Sequence, residues 1–99
     1  MQLKFKKKFL KQLSGLPSHV RSEIEEFVFV KLPVCHSLAD AGNIEKMRGF
    51  VSYYKARFGS YRVGLKLESD GTLVVQIVMH RKEIYRFFSL KEDGPRGMS

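Results

Sequence analysis

The chain has 99 residues, a net charge of +8 and 43% hydrophobic residues, enough for one small domain with a single modest core. That size excludes a multi-domain enzyme. The excess of 18 Lys and Arg over 10 Asp and Glu points to a polyanionic partner, nucleic acid ahead of a membrane surface.

The one cysteine, Cys35, leaves no disulfide within the chain. It fits a reducing, cytoplasmic setting and reads as a packing residue rather than a metal ligand. No apolar run approaches the roughly 20 residues that span a bilayer, so no membrane partner is expected. The basic Met1 to Lys8 stretch does not have the pattern of a signal peptide.

In chain order, Phe5, Phe9, Leu10, Leu13 and Leu16 recur at three- and four-residue steps, which predicts a first helix, with a short strand at Leu3 to Phe5 leading in. Ser14-Gly15 and Pro17 end it. A second helix is predicted from about Ser18 to Lys31, with Val20, Ile24, Phe27 and Val28 on one stripe and Pro33 as its stop. Residues 33–43 read as a loop. The period then changes from 3.6 to 2, giving a short strand at Ile44 to Arg48 and strands at 53–58, 61–67 and 73–80. A short helix at Lys82 to Leu90 closes a domain of residues 1–90, and 91–99 reads as a flexible tail. The fold class is α+β, a helical hairpin packed on a small antiparallel meander.

Two hairpin turns set the register. Gly59-Ser60 suits a type II′ turn, so Phe58 faces Tyr61, Arg57 faces Arg62 and Lys55 faces Gly64. Ser69-Asp70-Gly71 suits a three-residue loop with Gly71 left-handed, pairing Leu67 with Leu73, Leu65 with Val75, Val63 with Ile77 and Tyr61 with Met79. One face is then apolar, for the helices. The other carries Lys55, Arg57, Arg62, Gly64, Lys66, Gln76 and His80, with Arg81 close by. Two arginines directly opposite each other destabilise a sheet unless an anion sits between them, and Gly64 leaves room for a flat ligand. This is the pattern of a phosphate site. Tyr85 is a candidate for stacking on a base.

The segments Lys46-Met47-Arg48-Gly49, Tyr54-Lys55-Ala56-Arg57-Phe58, Gly59-Ser60-Tyr61-Arg62-Val63 and His80-Arg81-Lys82-Glu83-Ile84-Tyr85 together resemble the RelE/ParE superfamily of toxin–antitoxin toxins. The resemblance implies a RelE-like fold and, in the RelE branch, cleavage of mRNA in the ribosomal A site. There the 2′-hydroxyl attacks the adjacent phosphate, with no metal or other cofactor. It implies catalytic roles for Lys55, Arg57, Arg62, Arg81 and Tyr85, with His80 a second candidate acid, and RNA contacts from Lys46, Arg48, Lys66 and Lys82. Lys55 is the candidate general base, and its cationic neighbours favour the neutral amine that role needs. Some members use a glutamate, and Glu45 and Glu83 are available. The implied partners are mRNA, the ribosome and an acidic antitoxin that wraps the toxin. The alternatives are a ParE-like inhibitor of DNA gyrase and a non-catalytic binding module.

Overall fold

In the computed structural model, which describes residues 1–84, the apolar stripes of the helical segments lie on one face of a five-stranded sheet. The elements are β1 (Leu3–Phe5), α1 (Lys7–Ser14), α2 (Ser18–Glu25), a π-helical segment (Glu26–Lys31), α3 (Leu32–Val34), α4 (Leu38–Ala41), β2 (Ile44–Lys46), β3 (Tyr53–Phe58), β4 (Tyr61–Leu67) and β5 (Leu73–His80). Residues 81–84 begin a further helical turn. The rest of the helix expected at 82–90, Tyr85 and the tail expected at 91–99 lie outside the described residues.

The strand order is β1-β5-β4-β3-β2. β2 to β5 form the antiparallel meander that the period-2 pattern predicts. β1 adds a parallel edge, Leu3 beside Leu73 and Phe5 beside Val75, so Phe5 belongs to a strand and not to the α1 stripe. Where β1 runs out, the Gln12 side chain of α1 accepts the Val78 N–H at 3.0 Å, so that backbone donor is not left unpaired.

Phe9, Leu13, Val20, Ile24, Phe27, Val28 and Leu32 pack on Ala56, Phe58, Val63, Leu65, Leu73, Val75 and Val78. Leu10, expected on the buried stripe, is exposed. The second helix departs from α geometry just where Pro33 approaches. Pro33 donates no N–H, and its ring would collide with the carbonyl four residues back. The wider π winding ahead of it advances each side chain less around the axis. It brings Phe27, Val28 and Leu32 onto the core and leaves Lys31 in solvent. The segment expected as a loop at 33–43 contains the single turn α4, whose Leu38 and Ala41 pack against the core.

Both turns match the residue chemistry. Gly59 has φ +59° and Ser60 is not left-handed, the combination a II′ turn requires, and Gly71 sits at φ +91°. From the second turn the expected register holds for Leu67 with Leu73 and Leu65 with Val75. It then breaks. A bulge at Gln76 pairs Gly64 with Ile77, Val63 with Val78, Arg62 with Met79 and Tyr61 with His80. The expected pairs Val63 with Ile77 and Tyr61 with Met79 are therefore corrected by one residue. A one-residue slip swaps faces. Val78 joins the helix-side core, while Ile77 and Met79 move to the opposite face, where they pack with Met47, Phe50, Tyr53 and Ile84 as a second apolar cluster.

Candidate functional site

Alternation along β3 places Lys55 and Arg57 on the face away from the helices, and β4 places Arg62 there. Arg57 and Arg62 are direct cross-strand partners, and Lys55 faces Gly64, as the turn chemistry predicts. The two guanidinium groups do not confront one another across an empty gap. Arg57 is drawn sideways to Glu45 on β2, Nη2 to Oε2 3.1 Å. Arg62 folds back over the turn, its Nη1 donating to the carbonyls of Gly59 at 2.7 Å and Tyr61 at 2.9 Å. Like-charge repulsion is thereby relieved within the protein, so it is not by itself the sign of an anion. Both partners of the Arg57–Glu45 pair are more than half exposed, and an exposed pair of this kind is worth about 0–1 kcal/mol. An incoming phosphate can displace it.

Lys46, Arg48 and Lys55 come together with Glu45 around a cleft of about 480 Å³ beside this pair. Arg81 also joins the region, because its backbone N–H donates to the Ser60 carbonyl at 2.8 Å and holds the end of β5 against the β3–β4 turn. Lys46, Arg48, Lys55, Arg57 and Arg62 therefore gather from β2 and the loop after it, β3 and β4, with the Arg81 backbone held at the turn beside them.

Three expected members stand elsewhere. The bulge turns His80 to the side of Tyr61, its ring 5.8 Å from the tyrosine ring at 72°, so it does not share the face of Arg62. Its Nδ1 accepts the Lys82 N–H at 3.2 Å, and the exposed Lys82 follows it out of the sheet. Lys66 lies on the cationic face but toward the far end of β4, with Nζ 5.6 Å from the centroid of the Tyr53 ring. Gly64 is buried, so the space expected for a flat ligand is closed.

Sequence reasoning missed Glu45 as the partner of Arg57 and the apolar cluster on the cationic face. The signal for the second was present. β5 is apolar at consecutive positions, Ile77-Val78-Met79, which is the mark of a strand covered on both sides.

A resolved shift in acidity lies away from this patch. Asp70 in the β4–β5 turn is held below its ordinary value of 3.8, chiefly by the backbone N–H of Thr72, which its Oδ1 accepts at 2.9 Å, then by the Thr72 side chain.

Over 89 residues the chain is 36% identical to Toxin RelE3 of Methanocaldococcus jannaschii, covering 89% of this chain and 99% of that protein. Its backbone matches a RelB–RelE antitoxin–toxin complex from Methanococcus jannaschii with a TM-score of 0.70 and 35% identity, over 86% of this chain and 98% of that one. An archaeal RelE–RelB complex from Pyrococcus horikoshii OT3 matches with a TM-score of 0.60 and 25% identity, over 81% and 93%. No family model matches the sequence. With a relative this similar along nearly its whole length and the same strand framework beneath the cationic patch, the chain belongs to the RelE/ParE superfamily of toxins from toxin–antitoxin systems.

Proposed function

We propose that this toxin is an endoribonuclease that cleaves mRNA, at the ribosomal A site, by attack of an RNA 2′-hydroxyl on its own adjacent phosphate. The observation that carries this reading is the pairing of Arg57 with Arg62 across the β3–β4 hairpin, with Lys55 one alternation back on the same face. In the reaction the 2′-oxygen loses its proton and bonds to phosphorus. The bond from phosphorus to the 5′-oxygen breaks, and that oxygen takes up a proton. The products are a 2′,3′-cyclic phosphate and a 5′-hydroxyl.

Negative charge builds on the non-bridging oxygens during this step, and fixed cations that meet it there lower the barrier. Arg62 and Arg57 take that role, since a planar guanidinium grips phosphate through two N–H groups. Lys55 is the proton acceptor, with Glu45 the alternative beside it. Arg81 neutralises charge on the leaving 5′-oxygen, and Lys46 and Arg48 hold the flanking strand. Tyr85 is the candidate for stacking on a base.

The partner is an acidic antitoxin that wraps the helices and the basic face as it folds. In support, similar solved structures are antitoxin–toxin complexes. Charge complementarity to a chain of +8 favours an acidic segment. A protein acting on translated mRNA works in the cytoplasm.

Controlled expression in a bacterium, with primer-extension mapping of mRNA ends, tests the reading. New mRNA 5′ ends are expected with the native chain and not with Arg62→Ala. Halted growth with intact mRNA and damaged DNA would overturn it in favour of a gyrase inhibitor. Intact mRNA with unimpaired growth would leave a binding module.

A further inference from the structure

The cationic face carries a second basic cleft, with Tyr53 of the second apolar cluster on its wall and Ile77 of that cluster standing in register between it and the Arg57–Arg62 pair. Lys4, Lys6 and Lys66 line it, and its volume of about 540 Å³ lies within the range of small-molecule sites. Register explains the convergence. Lys4 on β1 and Lys66 on β4 both pair with Val74 of β5, one from each side, so their side chains rise from the same rung of the sheet. Lys6 follows where its N–H is held by the Val75 carbonyl at 3.0 Å. Glu68 and Asp70 also line the cleft, and Asp70 is already engaged by Thr72.

A different observation says what else the occupant carries. Gln76 lines this cleft at the bulge, is 6% exposed, and its Oε1 has no hydrogen-bond partner among the described residues. That oxygen is covered in this structure; a buried acceptor left unpaired costs about 1–3 kcal/mol, and a turn of the amide toward an N–H donor in the cleft relieves it. Negative charge with N–H groups is the chemistry of a nucleotide, whose phosphate suits the lysines and whose base edge suits an amide oxygen.

We infer that this cleft is a second contact site for single-stranded RNA, holding a phosphate of the same strand whose scissile bond lies at Arg57 and Arg62. The inference rests on the ribonuclease reading. Lys66 stands four residues along β4 from Arg62, about 13 Å at the rise of an extended strand. A trinucleotide seated at the arginines does not reach past the apolar cluster, whereas a longer strand meets both sites.

The test uses uncleavable 2′-O-methyl oligonucleotides of three and ten residues, titrated by fluorescence anisotropy over a range of salt. The Lys4→Ala/Lys6→Ala/Lys66→Ala variant is expected to bind the ten-mer about tenfold or more weakly at low salt, with the trinucleotide unchanged. Its salt slope for the ten-mer flattens by about 0.7, the value for one lost phosphate contact on a single strand. The control Lys7→Ala/Lys8→Ala/Lys11→Ala removes the same charge from α1 and leaves both affinities within about twofold. Equal losses on both lengths, an equal loss in the control, or no loss would overturn the inference. So would a loss confined to an acidic decapeptide, which would assign the cleft to a protein partner. Failure of the native chain to bind either oligonucleotide would overturn the ribonuclease reading as well.

Discussion

Arg62 bonds two turn carbonyls and also presents a guanidinium to the candidate phosphate site. Its substitutions separate those contributions. Arg62→Ala is expected to lower mRNA cleavage on the order of a hundredfold or more, the scale of losing one preorganised donor. The two hydrogen bonds, one exposed and one part-buried, are worth about 0.5–1.5 kcal/mol each, so melting should fall by several degrees while the fold survives. Arg62→Lys keeps the charge but not the two-pronged geometry, and is expected to recover little of the cleavage. Asp70 makes a prediction of opposite kind, about stability alone. Its acidity is raised by the Thr72 N–H, so the folded state favours the ionised carboxylate. The resulting stabilisation is present above 3.8, the unperturbed value, and is lost as pH falls through the lower folded value. The melting-temperature gap between the native chain and Asp70→Asn should therefore be constant near neutrality and close below about pH 3.8. Thermal melts at stepped pH check this, and a gap that widens on acidification would contradict it.

At the scale of elements, the β3–β4 hairpin carries the site and Gly59 carries the hairpin. A side chain added at Gly59 meets nothing within 4 Å, so the cost of Gly59→Ala lies in the backbone at φ +59°. That cost is about 1 kcal/mol, or a fall of about 4–8 °C in melting temperature for a chain of this size. Ile77 matters through the second cluster. Ile77→Ala is expected to destabilise by about 2–4 kcal/mol. It should also weaken cleavage beyond what the folded fraction explains, because Met47 of that cluster lies between Lys46 and Arg48. Comparing activity per folded molecule with Val28→Ala, which opens the helix-side core instead, checks that distinction. Element boundaries were legible where local chemistry decides them: Gly59, Gly71 and the period-2 runs of β3 and β4. The bulge at Gln76 was not. A uniform register from either turn is locally sound, and only the need to bury Ile77 on one side and Val78 on the other selects the slip. The π segment is similar, since the pattern Ile24, Phe27, Val28 reads equally well as an α stripe until Pro33 and the core position of Leu32 are both imposed.

For the whole molecule, the net charge of +8 resolves into patches with different surroundings. The arginine patch sits at the turn end of the meander, the Lys4–Lys6–Lys66 cleft lies beyond an apolar cluster, and the α1 lysines cover a helix surface. Association with RNA or with an acidic antitoxin should weaken steeply with salt for this reason. Co-expression of an acidic antitoxin is expected to restore growth, and a growth assay with and without that partner measures it. Local residue patterns sufficed for the helix-then-meander order, both turns and the opposition of Arg57 to Arg62. Each follows from neighbouring residues, through periodicity, glycine backbone freedom and hairpin geometry. Long-range packing set the rest: β1 adds in parallel beside β5, His80 turns away from Arg62, Glu45 draws off Arg57, and an apolar cluster interrupts the basic face. Those features depend on which segments distant in the chain compete for the same buried surface and the same unpaired charge, and no local pattern encodes that competition.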